Sequence, residues 1–497
     1  MVVIVHVLKM TRSICPECFK VIDATVYEEN GKVYIKKNCV EHGPFQDIYW
    51  SDVKEYERVK KYAIEGEGIK NTHTKITNGH PFDCGLCPNH KTHTNLAIID
   101  VTNRCNLKCP ICFANAATTG YIYEPTKKQI GEMIKTLRSM DPVPAAALQF
   151  SGGEPTVRGD LPELIKMAVD AGFDHVEVNS NGIKFAESVD YCREIIEAGG
   201  RTIYLQFDGV TPEPYLINRD VDLLQTKFKA IENCREAGVD SIVLVPTVVR
   251  GVNDNQLGDI IKFATKNFDV IRCVNFQPVS ITGRIDDKKR QEMRITIPDC
   301  TKLIEEQTEG QIKASDFYPI PVVVPVARAV GALKDTNYVE FTIHEHCGMA
   351  TFLLIEDGNF VPITHYVDVD NFMESMNKVY KTALNGSKRR AQLQLLSASL
   401  RHARLGILRQ LIKNVLKEGT YDSLGDLMKN VLMIGLMHFQ DPYNLDLERL
   451  ERCGVHYAVP DGRIIPFCAM NTIYRPQVEK EFSLSIAEWR ERQILKS

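Results

Sequence analysis

Six short β-type runs, each followed by a pattern of helical spacing, constrain this chain more than any other feature. They are 96–101 (LAIIDV), 146–151 (AALQFS), 175–179 (HVEVN), 202–207 (TIYLQF), 241–245 (SIVLV) and 270–276 (VIRCVNF). Strict alternation of strand and helix forces right-handed crossovers and a parallel sheet, with reactive residues gathered at the carboxyl ends of the strands. Six such units predict an α/β fold built on an incomplete, (β/α)6 barrel. Periodicity alone also allows an open doubly wound sheet, so the loops at the strand ends must decide.

The first run opens directly into TNRCNLKCPICFANA, which places Cys105, Cys109 and Cys112 in one loop at a strand's carboxyl end. Three thiolates at this spacing can ligate three irons of a cubane and leave the fourth open, whereas an ordinary cluster has four cysteines. The second run ends in Ser151-Gly152-Gly153-Glu154-Pro155, where glycine permits close backbone approach. The third and fourth end in Asn179-Ser180-Asn181-Gly182 and Gln206-Phe207-Asp208-Gly209, polar groups suited to ribose hydroxyls or a substrate.

Fifteen cysteines fall mostly in short knuckles, which favours thiolate metal ligation over disulfides. Near the amino end, Cys15, Cys18, Cys39 and His42 stand in a hairpin-like metal ribbon. A tetrahedral site could use those four, or the knuckles Cys15/Cys18 and Cys84/Cys87; all-thiolate ligation would admit iron, and a histidine would favour zinc. Cys84 and Cys87, followed by His90 and His93, could instead hold an auxiliary cluster. Cys347 precedes FLLIEDGNFVP, and Cys453 and Cys468 bracket GVHYAVPDGRIIPF, two similar strand-turn-strand segments. Cys273 and Cys300 could complete ligand sets, while Cys192 and Cys234 lie in apparent helices and read as buried, unligated thiols.

A chain of 497 residues accommodates more than one ordinary domain. The expected division is a metal ribbon over 1–90, a barrel over 91–310 and a carboxyl-terminal helical and auxiliary iron-sulfur region over 311–497. The stretch 1–10 reads as a first strand, and 371–448 reads as mainly helical. The apolar run 426–439 (DLMKNVLMIGLMHF) reads as a buried core helix, and 317–333 is too broken by proline to be one helix. A net charge of −4 argues against nucleic acid as a partner. No run is long enough to span a membrane, so a cytoplasmic, peripherally membrane-associated protein is expected.

The C-x3-C-x2-C loop with Phe113 next to its last cysteine resembles the signature of radical S-adenosylmethionine (SAM) enzymes. That resemblance implies a [4Fe-4S] cluster on Cys105, Cys109 and Cys112 whose open iron is chelated by SAM. Reductive cleavage of SAM then gives a 5'-deoxyadenosyl radical that removes hydrogen from carbon. Ser151, Gly152, Gly153 and Glu154 look like the element binding SAM's amino group, with Phe113, Ser180, Asn181 and Asp208 as further cofactor contacts; Gln277 and Pro278 resemble the region that meets adenine.

Over nearly its whole length the chain most resembles the archaeal tetraether lipid synthases. This likeness implies auxiliary [4Fe-4S] clusters, drawing on Cys84, Cys87, Cys347, Cys453 and Cys468, and a mononuclear iron or zinc site. It also implies an archaeal diether phospholipid as substrate, joined through saturated terminal carbons to macrocyclic or tetraether lipid, and an electron donor such as ferredoxin. The alternative is a radical SAM methylase of a pterin-like heterocycle, which needs a small polar pocket in place of a long apolar one. A non-enzymatic iron-sulfur protein would account only for the cysteines.

Overall fold

The amino-terminal strands alternate buried and exposed residues, and the computed structural model, which describes residues 6–356, 359–402, 414 and 429–494, folds them into an antiparallel meander. Its strands are β1 (His6–Ile14), β2 (Val21–Glu29), β3 (Lys32–Cys39) and β4 (Gly43–Trp50). The period-two pattern puts Val26, Val33, Ile35 and Trp50 on one buried face. The strand expected over 1–10 is present from His6; residues 1–5 lie outside the described residues. Helix α1 (Val53–Lys60) follows, started by the Asp52 carboxylate accepting from the amides of Lys54 and Glu55.

The six β-type runs form six strands: β5 (Leu96–Thr102), β6 (Ala147–Gly152), β7 (His175–Ser180), β8 (Thr202–Gln206), β9 (Ile242–Val245) and β10 (Ile271–Pro278). Between them run α2 (Lys127–Arg138), α3 (Leu161–Asp170), α4 (Val189–Glu197), α5 (Glu213–Arg219), α6 (Leu224–Ala237) and α7 (Leu257–Lys266). Local chemistry sets the helix ends: Thr126 and Gln129 form a capping box on α2. Helix α6 stops at Gly238, whose φ of 86° lets the Val239 amide reach back to the Cys234 carbonyl at 2.9 Å. The result is the partial parallel barrel expected from the alternation.

Downstream come α8 (Ile297–Gln307), α9 (Val324–Lys334), β11 (Gly348–Glu356), β12 (Asn359–Pro362), α10 (Val369–Leu384), α11 (Lys388–His402), β13 (Val431–Met437), α12 (Leu447–Glu451), β14 (Val455–Ala458) and β15 (Ile464–Pro466). As the prolines require, the 317–333 segment is broken, with an edge strand at Tyr318–Pro319 before α9 begins. The buried helix expected over 426–439 is a correction: 431–437 is strand β13, and 426–428 lie outside the described residues. A short, wholly apolar run is compatible with either state. Here the free edge of β10 decides, pairing in parallel from Cys273↔Met433 to Phe276↔Leu436. Gly435 in the middle of the run also weakens a helix.

Eight parallel strands therefore stand side by side, in the order β14, β5, β6, β7, β8, β9, β10, β13. The antiparallel pairs β13·β11 and β14·β15 extend the two edges. Residues 311–497 thus complete the barrel's own sheet. The ribbon is fastened to this body by buried charge: Arg294 joins Asp47 at 2.9 Å and Asp441 at 2.5 Å. Among the described residues no helix is long and apolar enough to cross a membrane.

Candidate active site

Strand β5 delivers its chain into the cysteine loop at the carboxyl end of the barrel. Cys105, Cys109 and Cys112 are half-buried and line a cavity of about 870 Å³ that runs through the barrel interior. The loop is seated by β6. The Gly153 amide donates to the Thr102 carbonyl at 2.7 Å and the Glu154 amide to the Arg104 carbonyl at 2.9 Å. A Cβ on Gly152, whose φ is +130°, would stand 2.1 Å from the Thr102 oxygen, and one on Gly153 2.3 Å from the Arg104 oxygen. The two glycines thus admit the cysteine loop's own backbone.

Glu154 is 1% exposed and ties β6 to the end of β7. Its carboxylate accepts from Thr156 Oγ1 at 2.6 Å, Ser180 Oγ at 2.8 Å and the Asn181 amide at 2.7 Å. Burial pushes its pKa up, and those donors oppose the rise. Phe113, Ser151, Gly152, Gly153, Glu154, Ser180 and Asn181 all border the cavity, as do Gln277 and Pro278.

Asp208, grouped with them in the sequence, is placed differently. It is fully buried outside the cavity wall, with its carboxylate taken by Arg219, Nε at 2.6 Å and Nη2 at 2.9 Å. Arg219 is the residue at the cavity. Its guanidinium donates to the Ile111 carbonyl at 3.0 Å, inside the cysteine loop. Burial raises the Cys109 thiol, and this guanidinium draws it back toward thiolate. Burial also pushes Cys105 up to about 12, with the Glu154 charge adding to the rise. Behind Arg219, the fully buried Lys227 donates to Gln206 Oε1 at 2.6 Å and to the Asn181 carbonyl, and burial lowers its pKa to about 7. Neither cation lies near a motif, so only the fold brings them to the site.

The cavity wall has two characters. Inward-facing residues of β6, β7, β8 and β10 are polar and hydrogen-bonded to one another. Gln149 Nε2 donates to Glu177 Oε1 at 2.6 Å, Asn179 Nδ2 to Ser151 Oγ at 3.0 Å and Asn275 Nδ2 to the Tyr204 hydroxyl at 2.6 Å. Between and beyond these, the other strands contribute Ile98, Val243, Met349, Met433 and Met437, which are apolar. At the mouth, Phe467 stacks on Phe439 with centroids 3.9 Å apart and tilts toward Phe113 at 5.7 Å.

The metal-type residues divide into separate sets. In the ribbon, the donor atoms of Cys15, Cys18, Cys39 and His42 all lie within 4.8 Å of one another. His42 Nδ1 is 3.6 Å from Cys15 Sγ and 3.5 Å from Cys39 Sγ, separations that suit one tetrahedral ion. The imidazole brings Cys39 down to about 6. Cys84 and Cys87 do not join them; each thiol faces a nitrogen of His80, at 3.2 and 3.3 Å. The sequence reading passed over His80. His90 and His93 are engaged elsewhere, by the Cys453 carbonyl at 2.8 Å and the Glu340 amide at 2.8 Å.

Cys347, Cys453 and Cys468 converge behind the aromatic mouth. Arg449 Nε donates to Cys347 Sγ at 3.4 Å, and the Gln440 amide donates to Cys468 Sγ at 3.3 Å. Burial raises Cys453 to about 12, and Cys347 lies close enough to raise it further. Cys273 lines the cavity, Cys300 is buried, and Cys192 contacts Cys234 at 3.9 Å inside the core.

The Radical SAM superfamily matches residues 99–264, and the HMPTM N-terminal zinc ribbon domain matches residues 7–51. The 7,8-dihydro-6-hydroxymethylpterin dimethyltransferase of Methanocaldococcus jannaschii is 50% identical over 494 residues, covering 97% of each chain. A GTP 3',8-cyclase of Syntrophomonas wolfei is 29% identical over 192 residues, 38% of this chain and 57% of that one. The solved structure of Streptococcus suis SuiB bound to S-adenosylmethionine is 14% identical with a TM-score of 0.35, over 44% of this chain and 45% of that one.

The near-full-length relative overturns the expectation of tetraether lipid coupling, and with it the diether phospholipid substrate. The barrel wall is in keeping with this correction, since Gln149, Glu177, Asn179, Tyr204 and Asn275 offer hydrogen-bonding groups that a saturated chain cannot use. A SAM-binding [4Fe-4S] cluster and SAM are cofactors of the superfamily, and the cysteine-rich sites and ribbon fit additional metal centres. The chain is a radical SAM enzyme with an amino-terminal zinc ribbon, and it belongs to the family of the 7,8-dihydro-6-hydroxymethylpterin dimethyltransferase.

Proposed function

We propose that this protein transfers methyl groups to a reduced pterin, with 7,8-dihydro-6-hydroxymethylpterin as its substrate. The observation that carries the reading is the 50% identity to the dimethyltransferase across 97% of both chains, which spans the ribbon, the barrel and the carboxyl-terminal thiols together. A cavity of about 870 Å³ with one polar wall is consistent with it, being in the usual range for small-molecule sites.

In this reading Cys105, Cys109 and Cys112 hold the [4Fe-4S] cluster. When bound, cluster and SAM supply a carbon-centred radical able to take hydrogen from an unreactive carbon. Phe113, Ser151, Gly152, Gly153, Glu154, Ser180 and Asn181 shape the SAM pocket. Arg219, fixed by Asp208, offsets thiolate charge in the cysteine loop. The Phe439–Phe467 stack keeps water from the mouth. The ribbon holds zinc or iron on Cys15, Cys18, Cys39 and His42, and Cys84, Cys87, Cys347, Cys453 and Cys468 serve auxiliary clusters.

Anaerobic incubation with SAM, a strong reductant and 7,8-dihydro-6-hydroxymethylpterin tests the reading. Mass spectrometry should find products heavier by one and then two CH2 units, together with deoxyadenosine above the pterin-free level. Deoxyadenosine without any methylated pterin would overturn it.

A further inference from the structure

Midway down the barrel, below the SAM-pocket residues, lies a buried carboxylate that the proposed chemistry leaves without a role. Glu177 occupies the centre of β7, lines the cavity and is 7% exposed. Gln149 Nε2, from the neighbouring β6, donates to its Oε1 at 2.6 Å, and His175 Nε2 is 3.5 Å from its Oε2. Among the described residues no lysine or arginine comes within 4.0 Å of it. A carboxylate held at a cavity wall with so few protein partners keeps lone pairs available for a ligand carrying N–H donors.

The adjacent strand supplies the opposite function. The Tyr204 hydroxyl accepts from both Asn275 Nδ2 at 2.6 Å and Gln277 Nε2 at 2.9 Å. With its two lone pairs so occupied, the hydroxyl hydrogen remains as a donor. Tyr204 pairs with Asn179 in the β7·β8 ladder, one inward position above Glu177. The wall therefore offers two carboxylate acceptors followed by one hydroxyl donor. The pyrimidine edge of a pterin presents the complement: an amino group, a ring N–H and a carbonyl. Met349 and Met433, on strands beyond β10, add apolar surface to the same cavity for the ring face.

We propose that Glu177, oriented by Gln149, is the specificity-determining residue that holds the aminopyrimidine edge of the substrate, with Tyr204 donating to the adjoining carbonyl. The inference rests on the pterin reading and adds to it the orientation of the substrate: its aminopyrimidine edge lies deep in the barrel, and the rest of the bicycle points toward the cysteine loop.

The test is equilibrium binding to the reconstituted, anaerobic full-length protein of two probes. One is 7,8-dihydro-6-hydroxymethylpterin; the other is the same bicycle with the amino group replaced by a carbonyl oxygen. Wild type should prefer the amino compound by at least about tenfold, because the carbonyl sets an acceptor against the carboxylate. Glu177→Gln, nearly isosteric, should weaken amino-compound binding on the order of thirtyfold and bring the two probes within about threefold of each other. Tyr204→Phe should weaken both probes and leave their ratio as in wild type. Because the ratio is taken within one variant, partial misfolding cancels. As a second variant, Gln149→Met should narrow the preference less than Glu177→Gln does. Wild type that binds and methylates the pterin, with Glu177→Gln keeping the full preference, overturns this inference alone. Wild type that binds neither probe overturns the pterin reading as well.

Discussion

The ribbon and the barrel each gather cysteines at a strand end, and they do so to opposite effect. In the ribbon four donors from two knuckles stand within 4.8 Å of one another, a closed shell with no place for a further ligand. In the barrel the donors of Cys105, Cys109 and Cys112 do not fall within that radius, and all three face an open cavity beside Arg219. A closed shell suits a structural ion, and an open, wider one suits a cluster that must still bind something. The difference is in backbone support. The ribbon's knuckles are tightened by their own turns, such as the Phe19 amide on the Cys15 carbonyl, whereas the barrel loop leans on another strand through Gly152 and Gly153.

The comparison breaks most severely if the barrel thiols are dispensable. Replacing Cys105, Cys109 and Cys112 together with alanine should remove one cluster's iron and sulfide and drop deoxyadenosine formation to background by chromatography. Undiminished formation would leave the two sites indistinguishable. Gly153→Ala comes next. Its Cβ would press on the Arg104 carbonyl, so the cysteine loop must shift, at a cost of about 1–3 kcal/mol. Cluster occupancy, read from the absorbance of reconstituted protein, and SAM affinity should fall together.

His42→Ala should act on the other side of the comparison. Metal analysis should show the ribbon ion lost and the Tm lowered by several degrees, while deoxyadenosine formed per assembled cluster stays near wild type at low temperature. A loss as deep as that of the triple cysteine variant would show the ribbon to be part of the chemistry.

The last effect concerns charge behind the barrel site and is read only through pH. Lys227 has its pKa lowered from 10.5 to about 7 by burial, so between those values the native state binds fewer protons than the unfolded chain. Its burial penalty is full below pH 7 and is relieved as pH rises toward 10.5. Urea midpoints of the wild type should therefore gain a rising contribution across that window, and Lys227→Met should lose it. An unchanged slope would place the lysine's charge in contact with solvent.

Much of this was legible in the sequence. The six strands were legible because short β-type runs were bounded by turn residues, and the cysteine loop because its spacing falls directly after one of them. Strand β13 was not, since VLMIGLM is apolar at every position and only the free edge of β10 selects a strand. The substrate was misjudged for a related reason. Apolar segments are conspicuous as blocks, whereas Gln149, Glu177, Tyr204 and Asn275 are single polar residues in four separate strands. Their common inward face exists only once the sheet is assembled. Arg219 and Lys227 carried no signal, because the Asp208 that orients Arg219 looked like a cofactor contact in its own motif.

Strand β14 gives the molecule a property of timing. It pairs with β5, Val455 against Leu96, so the wall that carries Tyr457, and the mouth that carries Phe467, come from residues about 350 positions downstream of the cysteine loop. On a ribosome, the cysteine loop emerges long before the residues that enclose it, and sheet pairing across so great a separation forms late. A nascent or carboxyl-terminally truncated chain would expose its cysteine loop to solvent and oxidants. The reactive centre is sheltered only once β14 has been made and has paired with β5, which links distant sheet closure to the safety of the chemistry.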